Sequence, residues 1–149
     1  MIGWRRHVFA KVALAGLLAL APGACSNEDG PLRPSDSLPP TVTVVEPAEN
    51  AFVPARPAFV IRVSDQGSGV FCSTVSATIN GRDVSQFFRN GCDEATGEIR
   101  IGGGQITPPL NDGGATLVFT ISDHAGNVSP IVRRQFTVDS EPPPPPPPD

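Results

Sequence analysis

The residues of this chain best suited to bind a ligand are oxygen donors that follow two apolar stretches. Asp65 ends one stretch, Asp123 ends another, and Asn127 comes shortly after Asp123. Carboxylate and amide oxygens are the ligands that Ca²⁺ prefers, and this ion takes six or more of them. These three side chains therefore form a candidate Ca²⁺ site. The alternative is that each aspartate hydrogen-bonds the backbone of its own turn.

No arrangement typical of an enzyme active site follows from the sequence. His124 is the only histidine beyond residue 24, and no serine and acid stand at a recognisable catalytic spacing from it. The glycines at 102–104 lack the Lys-Ser/Thr pair of a phosphate-binding loop. A glycosidase would need two carboxylates facing one cleft, and the sequence indicates no such cleft. We therefore expect no catalytic residues and no enzymatic activity.

The cysteines lead to two separate predictions. Cys72 and Cys92 form an even pair once Cys25 is set aside, which favours a disulfide in an oxidising compartment. Closing a loop of about 20 residues would contribute about 3 kcal/mol by the chain-entropy estimate. Two free thiols are the alternative. A metal site at this pair is not expected, because no third or fourth ligand is spaced near it.

The N-terminus has the features of a secretory signal peptide. Three cations and no acid precede an apolar run over residues 12–21. That run is shorter than the roughly 20 residues that a transmembrane helix needs. Small residues end it just before Cys25, as in a cleavable signal. We therefore predict residues 1–24 to be a signal peptide.

The sequence around Cys25 resembles the lipobox of bacterial lipoproteins. Gly23 and Ala24 match its small residues, while Pro22 stands where that family usually has leucine. The resemblance implies that the Cys25 thiol carries diacylglycerol and that the new N-terminus is acylated. Ser26 after the cysteine implies sorting to the outer membrane, on its periplasmic or surface face. The alternative is an ordinary signal peptide cut near Ala24.

Composition divides the remaining chain into three parts. Residues 25–40 are polar and rich in Pro and Ser, which predicts a flexible tether. Residues 41–139 carry nearly all of the apolar alternation. Residues 140–149 include seven consecutive prolines, which favour a stiff polyproline II rod. We expect this tail to be a stiff end or spacer, and a ligand for an aromatic groove is the alternative.

The central part predicts an all-β fold. Apolar and polar residues alternate in one short segment after another, most clearly over residues 117–121. Asn80-Gly81 is a strong signal for a two-residue hairpin and predicts a returning strand over residues 83–88. About seven short strands in about 100 residues fit an immunoglobulin-like antiparallel β-sandwich. No segment after the signal has the spacing of an amphipathic helix.

Phe87 and Phe88 are neighbours in the predicted returning strand. Adjacent side chains of a strand point to opposite faces of the sheet, so one phenyl ring would face solvent. These two residues are therefore a candidate contact patch. A bulge that buries both rings is the alternative.

Four stretches resemble the immunoglobulin-like or fibronectin-III-like repeats of exported bacterial proteins. They are PPTV at 39–42, VSDQGSGV at 63–70, SATING at 76–81 and the run over 117–127. The resemblance implies the sandwich fold. It leaves the function open, because this fold serves many functions. The tryptophan that packs on the disulfide of antibody domains is absent, so an antibody-type domain is not expected.

Charge excludes one class of partner. Without residues 1–24 the chain keeps eight arginines against fifteen acidic residues, a formal charge of −7. A protein without a basic stripe lacks the clustered cations that contact phosphates, so we expect no nucleic-acid binding. Attachment to a membrane would come from the lipid on Cys25.

These observations together predict a non-catalytic, lipid-anchored module of the cell envelope that serves adhesion, spacing or protein–protein contact. The contacts would use the loops of Asp65 and Asp123 or a sheet edge. The alternative is a carbohydrate-binding accessory domain of an exported system. Sugar platforms usually stack on Trp or Tyr, and the chain beyond residue 24 has neither. The partner and the oligomeric state do not follow from the sequence.

Overall fold

The computed structural model describes residues 35–141, which include the whole predicted central domain. The predicted signal peptide, Cys25 and the proline run lie outside the described residues. Within residues 35–141 the chain forms nine strands and one helix. Their bounds are β1 Thr41–Glu46, β2 Ala51–Val53, β3 Phe59–Ser64, β4 Val70–Ile79, β5 Arg82–Asp83, α1 Ser85–Asn90, β6 Cys92–Asp93, β7 Glu98–Ile101, β8 Gly113–Asp123 and β9 Val132–Val138. The helix α1, the one helix of residues 35–141, is not long and apolar enough to cross a membrane.

The strands form two sheets that pack face to face. One sheet has the order β1-β3-β7-β6, and the other has the order β2-β9-β8-β4-β5. The pairings are antiparallel except for β2 with β9, which is parallel. The predicted immunoglobulin-like sandwich is confirmed. The structure has more strands than the seven expected because three of them have two or three residues.

The N-terminal part of the domain contributes one strand to each of the two sheets. β1 pairs with β3, and β2 then pairs with β9 in the opposite sheet. Pro47 directly follows β1. A proline has no N–H to donate, so it cannot extend the ladder. The chain crosses at this point and thereby joins the two sheets along one side of the sandwich.

The prediction of a strand over residues 83–88 is wrong. The hairpin at Asn80-Gly81 is present, with positive φ at both residues as a type I′ turn requires. The returning strand β5 has only two residues, and α1 follows it. Val84 and Phe88 are both fully buried and are four residues apart, the spacing of one helix face. Burial of these two side chains favours a helical turn over an extended strand.

The predicted disulfide between Cys72 and Cys92 is confirmed, with 5.8 Å between the two Cα atoms. It joins β4 in one sheet to β6 in the other. Phe88 of α1 lies in the core and meets the ring of Phe59 edge to face, with centroids 5.3 Å apart. The disulfide and α1 thus close the side of the sandwich opposite β1 and β2. We call residues 82–93 the helical flank.

Three segments meet at one end of the sandwich. Thr41 at the start of β1 pairs with Ser64 at the end of β3, and Val70 at the start of β4 pairs with Asp123 at the end of β8. The segment before β1 and the loops after β3 and β8 therefore leave the sheets at the same end. We call this region, residues 35–40, 65–69 and 124–131, the loop end.

Candidate functional site

Asp65 lies in the loop after β3. Its Oδ2 accepts hydrogen bonds from the backbone N–H groups of Gly67, at 3.0 Å, and Gly69, at 2.7 Å. These bonds close the turn, as the alternative interpretation of the sequence expects. Its Oδ1 is buried and has no hydrogen-bond partner among the described residues. One oxygen of Asp65 is therefore used by the turn, and the other is left for a ligand.

Asp123 is the last residue of β8 and is only 1% exposed. Its Oδ1 accepts from the backbone N–H of Asn127 at 2.8 Å, and its Oδ2 accepts from the side-chain Nδ2 of Asn127 at 2.7 Å. The amide nitrogen of Asn127 thus faces the carboxylate. Asn127 serves here as a hydrogen-bond donor that fixes Asp123, rather than as an oxygen ligand beside it.

Asp36 joins this site, and the sequence analysis did not identify it. Its Oδ2 accepts from the backbone N–H of Ser68 at 2.6 Å, and its Oδ1 accepts from that of Leu38 at 3.1 Å. Its carbonyl oxygen accepts from Nδ2 of Asn127 at 3.1 Å. The N–H of Ser68, and then that of Leu38, holds the pKa of the Asp36 carboxyl below its ordinary value.

The sequence held only a weak signal for this role of Asp36. An aspartate two residues before Leu38 suits a local Asx turn, and the bond to the N–H of Leu38 has that form. The surrounding polar and proline-rich residues instead indicate a tether. The partners Ser68 and Asn127 are distant in sequence, so no local pattern links them to Asp36.

The three carboxylates converge. Asp36, Asp65 and Asp123 each place an oxygen within 4.8 Å of the others. The ion pairs found within residues 35–141 involve other groups, so no cation of that range pairs with these three. Like charges this close repel one another unless a cation or a proton is shared between them. The arrangement can therefore hold a hard cation such as Ca²⁺ through carboxylate oxygens, with water completing the ligands.

His124 borders this cluster and has a clear structural setting. Its ring stacks on Phe71 with 4.6 Å between centroids, and its Nε2 lies 3.6 Å from Oε2 of Glu94. The other oxygen of Glu94 accepts from the backbone N–H of Cys72 at 2.8 Å. These contacts connect the loop end to the disulfide.

Two of the clefts on the surface of the described residues lie beside predicted site residues. One of about 410 Å³ lies beside Asp65 and is bordered by Arg62, Glu94 and Glu98. The other has a volume of about 360 Å³ and lies on the helical flank, where Phe87 lines it. Phe88 is fully buried, so of the two predicted contact residues only the half-buried Phe87 faces a cleft. Adjacent rings of a helix point about 100° apart, which separates their environments.

Comparisons with known proteins support the fold. No protein-family model matches this chain, and no curated protein matches it. A dimeric latent PorU from Porphyromonas gingivalis aligns with a TM-score of 0.56 and 21% identity, over 73% of this chain and 11% of that one. An endo-β-1,4-mannanase from Thermotoga petrophila aligns with a TM-score of 0.52 and 12% identity, over 71% of this chain and 21% of that one.

The chain thus spans about a tenth and about a fifth of the lengths of these two proteins. The fibronectin(III)-like modules of CbhA from Clostridium thermocellum align at 14% identity over 66% of this chain and 96% of that one, with a TM-score of 0.42. The PorU and mannanase alignments, whose TM-scores exceed 0.5, indicate a shared fold and no more, since one fold serves many functions.

Proposed function

We propose that this chain is a non-catalytic module of the bacterial cell envelope, anchored in the outer membrane by lipid on Cys25 and used for spacing, adhesion or protein contact. The observation that carries the proposal is that Asp36 attaches residues 35–40 to the sandwich by hydrogen bonds with Ser68 and Asn127. These residues end the segment that leads from Cys25 to the domain. The domain therefore meets its proposed anchor through a defined attachment.

The edge of β2 suits contact with another protein. Phe52 on this edge strand is 76% exposed, the most exposed of the large apolar side chains in the described range. An edge strand offers free backbone hydrogen-bonding groups, and an exposed aromatic ring beside them can anchor a partner. We propose that an envelope protein adds to this edge and covers Phe52.

The anchor is tested by the intact mass of native protein extracted from membranes, measured with and without reductant. We expect a mass that begins at Cys25 and includes three acyl chains, with a gain of two protons on reduction of the disulfide. The same protein with Cys25→Ser serves as the control and should lack the acyl mass. A wild-type mass that begins elsewhere without lipid would overturn the anchor.

Contact through β2 is tested by a photo-crosslinking residue placed at Phe52 in cells. A second crosslinker at Phe71, an exposed ring at the other end of the sandwich, serves as the matched control. We expect one envelope protein to be crosslinked from position 52 and not from position 71. Equal crosslinking from both positions would count against the edge.

We also propose that Asp36, Asp65 and Asp123 hold a Ca²⁺ ion. The support is specific: three carboxylate oxygens lie within 4.8 Å of one another, and Oδ1 of Asp65 is buried without a hydrogen-bond partner among residues 35–141. An ion that binds only the folded state raises stability by about 2.7 kcal/mol at a free concentration of 100 Kd. Calcium titration followed by thermal unfolding should show this rise, and Asp123→Asn should abolish it.

Asp139→Asn is the matched control for the calcium titration, because that carboxylate lies at the other end of β9 from the loop end. The control should keep the full calcium response. A wild-type protein whose unfolding temperature does not change with calcium would show that the carboxylates carry out a purely structural role.

Carbohydrate binding is a second candidate, favoured by the cleft on the helical flank. Phe87 offers a half-buried ring there, and Asn90, Arg100 and Gln105 surround it with hydrogen-bonding groups. An aromatic face with amide and guanidinium donors suits a sugar ring. Calorimetric titration with a panel of oligosaccharides tests it, with Phe87→Ala as the variant expected to lose binding and Phe52→Ala as the control. No heat from any sugar would remove this candidate.

A further inference from the structure

We propose that the hydrogen bonds of Asp36 to Ser68 and Asn127, which we call the latch, shorten the tether between Cys25 and the domain. The latch is closed when these bonds are formed and open when they are broken. A closed latch holds the loop end against the bilayer, so that the edge of β2 faces away from the membrane. The proposal rests on the lipid anchor at Cys25 proposed above. It identifies the loop end as the surface in contact with lipid.

The strand order sets the direction of the domain. The chain enters β1 at the loop end, where Thr41 pairs with Ser64. It leaves β9 at the far end, where Val138 pairs with Gly113 at the start of β8. β2 runs beside the last residues of β9, so Phe52 also belongs to the far end. The chain thus enters the sandwich at the loop end and presents the proposed protein contact at the far end.

Asp36 attaches residues 35–40 to the two loops of the loop end by two hydrogen bonds. The Asp36 carboxylate accepts from the N–H of Ser68, and its carbonyl oxygen accepts from the Asn127 amide. The hydroxyl of Ser68 in turn accepts from the N–H of Ala125 at 2.9 Å. The latch therefore joins the segment before β1 to both loops of this end.

Gly67 provides the space that the latch needs. A Cβ added at this glycine would overlap the carboxylate of Asp36, whose side-chain atoms are its three nearest neighbours among the described residues. The close approach of the two segments thus depends on a missing side chain. An alanine at this position would displace Asp36 while leaving the strands on either side unchanged.

The latch changes how far the domain can move from the membrane. Between Cys25 and residue 35 the chain spans about 35 Å when fully extended, whereas to Thr41 it would span about 55 Å. The sandwich itself is about 36 Å long, judged from the eleven residues of β8. With the latch closed the fully extended tether only about equals the length of the sandwich, so an orientation that turns the loop end away from the bilayer is the least accessible one. With the latch open the domain can turn over.

The surface of the loop end fits a zwitterionic lipid headgroup layer. Leu38, Val128 and Ile131 lie there and are 59%, 59% and 62% exposed. Exposed aliphatic side chains beside a lipid anchor add apolar contact with the interface. In calcium-free buffer the acidic cluster at the same end would be repelled by anionic lipids, so the loop end favours zwitterionic headgroups there.

Fluorescence quenching in vesicles tests this orientation. Lipidated protein carries a fluorophore on Ala125→Cys at the loop end or on Asn111→Cys at the far end, in phosphatidylcholine vesicles that contain a headgroup-linked nitroxide quencher. We expect about threefold stronger quenching at position 125, because the two labels are separated by about the length of the sandwich. Asp36→Ala and Gly67→Ala should both reduce this difference.

Ser37→Ala is the matched control, because Ser37 lies in the same segment and its side chain is exposed. It should leave the difference in quenching unchanged. Thermal unfolding of each variant verifies that the sandwich is intact. Asp36→Ala and Gly67→Ala disturb the latch by different chemical changes, so the test does not depend on the correct folding of a single variant. Flotation of the vesicles in a density gradient shows whether the protein is bound to them. Equal quenching at both positions in wild-type protein that floats with the vesicles would overturn the orientation alone. Wild-type protein that does not float with the vesicles would overturn the anchor and, with it, the latch.

Discussion

Within residues 35–141, Asp36 and Asp83 have lowered pKa values, and each stabilises a different region of the sandwich. On the helical flank, Oδ1 of Asp83 accepts from the hydroxyl of Ser85 at 2.5 Å and from its N–H at 2.9 Å. At the loop end, Asp36 accepts from Ser68, which is 32 residues away in sequence. The bonds of Asp83 form within one short turn, whereas those of Asp36 require the finished sandwich.

The comparison separates stability from function. The hydrogen bonds that Asp83 accepts, first from the Ser85 hydroxyl and then from its N–H, lower the pKa of Asp83. The same bonds close a turn above the core. The hydrogen bond from the N–H of Ser68 lowers the pKa of Asp36 and also fixes a segment that lies outside the two sheets. We expect changes on the helical flank to lower the free energy of unfolding, and changes at the loop end to alter attachment and cation binding.

Phe88→Ala should have the largest effect. Its ring is fully buried between Phe59 and Phe119, so its removal leaves a cavity. We expect a loss of about 3–5 kcal/mol in the free energy of unfolding, measured by urea denaturation. Phe52→Ala, at an exposed ring, should change it by less than about 0.5 kcal/mol. A loss below about 1 kcal/mol for Phe88→Ala would contradict the importance of the helical flank.

Removing the disulfide should have the next largest effect. The double substitution Cys72→Ser and Cys92→Ser opens a loop with a sequence separation of 20. The chain-entropy estimate gives a loss of about 3 kcal/mol, which urea denaturation of the oxidised and substituted proteins would measure. Cys25→Ser in the same assay is the control and should leave stability unchanged. Equal stability with and without the bond would mean that α1 alone closes that side.

Ser85→Ala should have an intermediate effect. The Ser85 hydroxyl donates to Asp83 and also accepts from the backbone N–H of Ala77, which is buried. A buried N–H that loses its acceptor costs about 1–3 kcal/mol. Denaturation by urea measures this loss, with Ser37→Ala as the matched control at the loop end. Similar small losses for both serines would remove the distinction between the two regions.

Acidic pH should have the smallest effect and should act on both regions. A carboxyl whose pKa is lowered by folding contributes stability that is complete above its unfolded value, about 3.9 for Asp. That contribution is lost as the pH falls through the lower folded value. Stability should therefore decrease below about pH 4, and Asp36→Asn and Asp83→Asn should each reduce the slope. Urea denaturation at pH 2 to 6 measures it, and an unchanged slope in both variants would contradict the assigned bonds.

The sequence predicted the features that depend on local spacing. Alternation identified the longer strands of the two sheets but not the short strands β2 and β6, and Asn80-Gly81 identified the hairpin. The even pair of cysteines predicted the disulfide that the structure contains. The loops of Asp65 and Asp123 were expected at one end, and their carboxylates do converge.

Other features could not be read from local spacing. Helix α1 is a single short turn whose alternation resembles a strand until Val84 and Phe88 are seen to share the core. Asn127 was expected as an oxygen ligand, and its orientation as a donor depends on the carboxylate that it faces. Asp36 was assigned to the tether because its partners come from distant loops.

Sequence alone therefore determined the architecture, because strand alternation and turn chemistry act over a few residues and repeat along the chain. It also supplied the carboxylates and the pattern around Cys25 on which the proposed lipid anchor rests. The tertiary structure alone decided that Asp36 belongs with Asp65 and Asp123 and that Gly67 leaves room for it. Hydrogen bonds between distant segments exist only after the two sheets have packed and brought their loops to one end.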